Sequence, residues 1–187
     1  MTNDDVTQES YEQLIEDATY LQDEAEALRY VIDTVPYDEA PPENDSILYK
    51  LLKLDYLQVN YYRPIFEKAR TNSRDFIRVG NYQTFCDSFN PENVDDIDIQ
   101  KSLNKLAKHR AALINTMKKL PLIDWERVIY KDNKEITLYH FANDMIHKDR
   151  SILKEIADMV MVFQKEAQHK RKIDRNVPER EQNGSKS

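Results

Sequence analysis

Thr137-Leu-Tyr-His-Phe-Ala-Asn-Asp-Met-Ile-His-Lys-Asp-Arg-Ser-Ile-Leu-Lys-Glu-Ile-Ala-Asp-Met-Val-Met-Val-Phe163 is the stretch whose reading decides the fold. Leu138, Phe141, Met145, Ile152, Ile156, Met159 and Phe163 recur at helical spacing, which makes one apolar stripe on a long helix. Thr137 stands where an N-cap belongs. Upstream, Trp125 to Ile136 alternates and carries Asp132-Asn133-Lys134 at its centre. That pattern predicts a small hairpin-like excursion, with Asn133 able to take positive φ. Ile99, Leu103, Leu106, Leu113, Ile114 and Met117 form the stripe of a preceding helix, closed by Pro121.

Further back the period breaks down. Residues 71 to 96 hold Gly80, Asn81, Asn90, Pro91 and Asn93, and read as a long connection with at most short helical pieces. Before it, a second helix starts at Asn44-Asp45-Ser46 and runs through Ile47, Leu51, Leu54, Tyr61 and Ile65, with a kink at Pro64. The first helix runs from Tyr11 along Leu14, Ile15, Ala18, Leu21, Ala25, Leu28, Ile32 and Val35, until Pro36, Pro41 and Pro42 end it. The expected fold is all-α: a four-helix bundle with a long crossover between helices two and three and a small hairpin-like excursion before helix four. A crossover of that length suits consecutive helices that run in the same direction. The bundle should span 11–165, after a flexible N-terminus (1–10) and before a polar, disordered tail (166–187).

Composition agrees with a helical protein. The 187 residues include two glycines, 40% are apolar and 33% charged, and the net charge is −7. Residues 1 to 45 hold fourteen acids and one base, Arg29. Nucleic acid is not an expected partner, because phosphate binding needs a clustered basic face. The short run His169-Lys170-Arg171-Lys172 reads as a helix end complementing its dipole. No apolar run reaches the roughly 18 residues of a membrane span, and the N-terminus lacks the features of a signal peptide. A cytoplasmic protein without membrane partners is the expectation. Symmetric pairing is the commonest oligomer, so a homodimer is expected on base rates.

Candidate chemistry is sparse. Cys86 stands alone, beside Phe85 and Asp87, and reads as a packing residue. Asp95 and Asp96 read as caps of the third helix. His140, Asp144 and His147 share a helix face, but one opposite the apolar stripe, where histidines are ordinary surface residues. His109 and His169 are isolated. Tyr49, Tyr56, Tyr61 and Tyr62 crowd the second helix, either as rings at the bundle edge or as the lining of a small-molecule site between helices. Arg110 and Asp149 each fall in the middle of an apolar stripe, at about 100° per residue. Two such charges need partners. Helices three and four, folded as antiparallel neighbours about residue 128, would bring them to one height as a structural ion pair.

Ile123-Asp-Trp-Glu-Arg-Val, Tyr130-Lys-Asp-Asn-Lys-Glu-Ile, Thr137-Leu and Lys148-Asp-Arg-Ser-Ile-Leu-Lys-Glu-Ile156, together with Arg110, resemble the DinB/YfiT-like superfamily over most of residues 11 to 165. The resemblance implies a four-helix bundle, and in many members a divalent metal held by one histidine on helix two and two on helix four. The matching positions here are Leu52 or Lys53, Lys148 and Ile152, so it implies a degenerate site: no metal and no cofactor. A charged lysine repels a cation. What remains is a non-catalytic bundle that binds a small molecule or a partner protein. The alternative is a DinB-like transferase or hydrolase in which Lys53 or Lys148 holds an anion, or which uses a non-standard metal site. A third reading docks the acidic first helix on a basic partner.

Overall fold

The computed structural model describes residues 5–71 and 75–176. The first helix, α1 (Gln8–Leu28), starts where Thr7 Oγ1 accepts from the Ser10 amide. It stops at Leu28, earlier than expected: Ile32 and Val35 are buried, but Ile32 lies in a 3₁₀ turn (Ile32–Thr34) and Val35 is extended. Apolar spacing reports which residues are inside, and a turn folded back under the helix end satisfies it as well as more helix would.

The second rod starts at Ser46, whose Oγ accepts from the Tyr49 amide. It comprises α2 (Ile47–Leu57), a π turn (Gln58–Tyr62) and α3 (Arg63–Arg70). The break expected at Pro64 is absorbed by that π turn, in which the Arg63 amide donates to the Gln58 carbonyl. Pro64 then sits in the first turn of α3, where a missing N–H costs little.

The crossover is more structured than the sequence indicates. It contains a strand, β1 (Arg78–Val79), and a short helix, α4 (Tyr82–Ser88), capped by Asn81. The third long helix, α5 (Ile99–Lys118), is capped by Asp98, with Asp95 and Asp96 one turn too early in a 3₁₀ segment. The excursion is a β-hairpin of β2 (Val128–Lys131) and β3 (Lys134–Thr137), turned through Asp132 and Asn133, both at positive φ. β1 adds to β2 in parallel, pairing Arg78 with Tyr130. The all-α expectation thus gains a three-stranded sheet at one end. Thr137 caps the last helix through the His140 amide, and α6 runs Leu138–Asn176. The tail expected to be disordered from 166 is therefore helical as far as Asn176; residues 177–187 lie outside the described residues.

Two apolar clusters show how the helices run. One joins Leu14 and Ala18 of α1, Tyr61 to Ala69, Leu113 to Leu120 and Leu138 to Ile146. The other joins Leu21 to Leu28, Ile47 to Leu54, Ile99 to Ala107 and Leu153 to Val160. The second rod and α5 therefore run the same way, against α1 and α6, as the crossover implied. The helices that pack on one another are α1 with α5, the second rod (α2 and α3) with α5, α1 with α6 and α2 with α6. Hence α5 and α6 are antiparallel but face each other across the bundle rather than side by side. No described helix is long and apolar enough to cross a membrane.

Candidate functional site

Between the two apolar clusters lies a polar layer. Arg110 Nη2 donates to Asp149 Oδ2 at 2.6 Å, with the guanidinium fully buried and the carboxylate nearly so. Arg110 Nε donates to Gln58 Oε1 at 2.8 Å, and Gln58 Nε2 reaches the Leu106 carbonyl and Asp55 Oδ1. Asp55 also holds His109 Nδ1 at 2.7 Å, so His109 is not isolated. Burial pushes the Asp149 carboxyl above its ordinary range, and the Arg110 charge opposes this without cancelling it. The diagonal placement of α5 and α6 lets this pair meet on the bundle axis.

Within a turn of this layer, on the second rod and α6, lie Leu52, Lys53, Lys148 and Ile152, the positions that the sequence resemblance matches to metal ligands. Lys148 Nζ donates to Asp144 Oδ2 at 2.6 Å and lies 4.1 Å from the centre of the Tyr82 ring. Lys131, on β2, reaches the same Asp144 oxygen at 2.7 Å. Burial alone would raise Asp144, but the hydrogen bonds and charges of the two lysines outweigh it and hold the carboxyl below its ordinary range. Leu52 and Ile152 pack against the second apolar cluster. Lys53 stays apart, with its Nζ 5.9 Å from the centre of the Tyr49 ring.

These residues do not fit a divalent metal. Leu52 and Ile152 are partly buried apolar side chains without a donor, Lys53 is an ammonium, and so is Lys148, which is already paired. Among the described residues no three His, Cys, Asp or Glu come together as a ligand set. His140 and His147 are exposed, His140 Nδ1 is engaged with Thr137 Oγ1, and the Asp144 between them belongs to its lysines.

The structure brings together something else. Tyr61 and Tyr62, consecutive in the π turn, are each 2% exposed, and neither hydroxyl has a hydrogen-bond partner among the described residues. Asp132, Asp144 and Cys86 lie within electrostatic reach of the Tyr61 hydroxyl, and Asp149, Tyr82 and Asp144 within reach of that of Tyr62. Burial pushes both phenols well above their ordinary range, so both stay protonated. Tyr82 and Phe85 of α4 meet Tyr61 edge to face, and the buried Cys86 side chain lies within electrostatic reach of the Tyr82 hydroxyl. Phe141 closes the inner side against both tyrosines. The third buried atom without a partner among the described residues, Trp125 Nε1, belongs to a ring that meets Tyr11 and Phe66.

Sequence reading found Lys148, Tyr61 and Tyr62 but not Gln58, Tyr82 or Lys131. Asn81, an N-cap residue ahead of Tyr82 in the crossover, is the signal that marked α4.

Two parallel rods in the middle of the chain, α1 and α6 running against both, and a hairpin leading into the last helix define a four-helix bundle with a long crossover at its middle. The solved structure of YfiT from Bacillus subtilis, described as a probable metal-dependent hydrolase with an unusual four-helix bundle topology, matches with a TM-score of 0.66 over 85% of this chain and 90% of that one. Sequence identity is 14%, so the likeness is one of fold. No protein-family model and no curated protein matches the sequence.

Proposed function

We propose that this chain is a metal-independent, non-catalytic bundle of the cytoplasm that binds a small molecule between the second rod, α4 and α6. The observation that carries this reading is the pair of buried Tyr61 and Tyr62 hydroxyls without partners among the described residues, against the rings of α4 and α6. A buried donor left unpaired costs about 1–3 kcal/mol. Two in adjacent residues are accounted for by a ligand that accepts from them. The aromatic rings of Tyr82, Phe85 and Phe141 supply the apolar lining such sites use.

The matching ligand positions support metal independence: Leu52 or Lys53, Lys148 and Ile152 offer no strong donor to a divalent ion. The test is elemental analysis of the purified protein, paired with thermal shift against a panel of neutral, anionic and cationic metabolites. About one zinc or nickel per chain, lost on changing His140 or His147, refutes the metal-free part. Absence of any compound that raises Tm refutes the binding part.

A further inference from the structure

We infer that the end of α6, residues 161–176, docks on the outer face of α1 of a second copy of this chain, in a two-fold antiparallel pair.

Neither surface is taken up within the chain. Val160 is the last buried residue of α6, yet the helix runs on to Asn176, and residues 168–175 are all exposed. This overhang carries Lys165, Lys170, Arg171, Lys172 and Arg175 against two acids, Glu166 and Asp174. None of its five bases has an ion pair among the described residues. At about 100° per residue Lys154, Met161, Lys165 and Lys172 fall in one strip, and Met161 is 48% exposed. Arg150 marks the side of α6 that the strip borders: its Nη2 donates to Asp17 Oδ1 at 2.6 Å and its guanidinium lies 5.6 Å from the centre of the Tyr20 ring, both on α1.

The complement is α1 itself, whose 21 residues hold seven acids and no base. Glu9, Glu12, Glu16, Asp23 and Glu26 are exposed on the face turned away from Leu14 and Leu21, and none has an ion pair among the described residues. Acids in the last turn of a helix oppose its dipole, and the last turn of α1 has Glu26 and no base. Lysines from outside relieve that conflict. A phosphate backbone is the poorer occupant for the basic end, because it would approach a chain of net charge −7.

Geometry selects a second copy. The two apolar clusters show α1 and α6 running side by side in one direction, with α6 overshooting. A two-fold axis across the helices near Met161 inverts the second copy, so that each overhang runs along the other's α1 from the Glu26 end. Both contacts form at once, and the pair is closed. The overhang is about 24 Å long and α1 about 31 Å, so the reach is sufficient. Surface charges are screened and contribute little each, so the pair dissociates at the low micromolar concentrations of a thermal melt and is read at about 0.1–1 mM.

The experiment is sedimentation equilibrium of the full chain over that range. A dimer is expected, weakened about tenfold or more by about 1 M salt, where the screening length is about 3 Å. Lys165→Glu with Lys172→Glu, and separately Asp23→Lys with Glu26→Lys, are each expected to weaken self-association about tenfold or more, all four positions being exposed and outside the core. Mixing the two variants restores complementary charge at both contacts and is expected to give the dimer back. A chain that stays monomeric at 1 mM overturns the inference. Dimerisation unchanged by either charge reversal overturns this interface, and a mixture that stays monomeric overturns the pairing of α6 with α1.

Discussion

Arg110 has no water to fall back on. Its fully buried guanidinium is held by Gln58, by Asp149 and, at 3.7 Å, by Met145 Sδ. Arg110→Met strands the Asp149 carboxylate in the core and is expected to cost about 3–5 kcal/mol in chemical denaturation. Adding Asp149→Leu to it should recover most of that loss, because an apolar replacement of a whole pair is often neutral. The tyrosines carry the opposite expectation. Each unpaired hydroxyl is a debit in the free protein, so Tyr61→Phe or Tyr62→Phe should stabilise it by up to about 1–3 kcal/mol while weakening ligand binding. A loss of stability in both variants would mean that the hydroxyls are satisfied by the fold itself. Asp144 titrates in a third way. Its folded carboxyl is held below the ordinary 3.8, so the folded state binds that proton more weakly than the unfolded chain. Its contribution is present above 3.8 and is lost as pH falls through the lower folded value. The Tm difference between the wild type and Asp144→Asn should therefore shrink toward zero as the solution is acidified below that range. Asp149, raised by burial, works with the reverse sign, its cost appearing as pH rises above 3.8.

At the scale of the element, the π turn matters most, because it sets Tyr61 and Tyr62 inward while letting Pro64 sit in a first turn. Its extra residue per turn rotates the second rod, so apolar positions before and after it face the same interior. The start of α5 shows how narrowly an element boundary is specified. Asp95, Asp96 and Asp98 are all plausible caps in the sequence, yet the carboxylate that accepts from the Gln100 and Lys101 amides, at 2.9 and 3.1 Å, is that of Asp98. Asp98→Ala is expected to cost about 1 kcal/mol, and Asp95→Ala little, as read by thermal melts. The hairpin follows from Asp132 and Asn133, both at positive φ, where a two-residue turn needs residues that tolerate that region.

At the scale of the whole molecule, α6 is longer than the bundle it completes. Its 39 residues span about 58 Å, against 21 residues in α1. Val160 is its last buried residue, and residues 168–175 are all exposed. A chain ending at Gln168 is expected to melt within about a degree of the full one, since exposed positions far from the core shift stability little. A drop of several degrees would show that the basic end packs on something in solution. The core itself is two apolar clusters with the Gln58–Arg110–Asp149 layer between them, and that layer ties the second rod, α5 and α6 together by hydrogen bonds.

The sequence by itself determined the four long helices, the order of their directions, the hairpin and the need for a partner at Arg110 and at Asp149. Each of these follows from spacing along one segment, and helical periodicity is a local property. It also determined that Lys148 and Ile152 are not metal ligands, because residue type alone decides that. Only the tertiary structure decided where α1 stops, that β1 joins the hairpin, that α5 and α6 face each other diagonally, and that Asp144 is shared by Lys131 and Lys148. Those facts depend on residues far apart in the chain meeting in space. The proposed site belongs to this second kind: Tyr61 and Tyr62 come from the second rod, Tyr82 and Phe85 from the crossover and Phe141 from the last helix. No periodicity within one segment encodes their distance from one another.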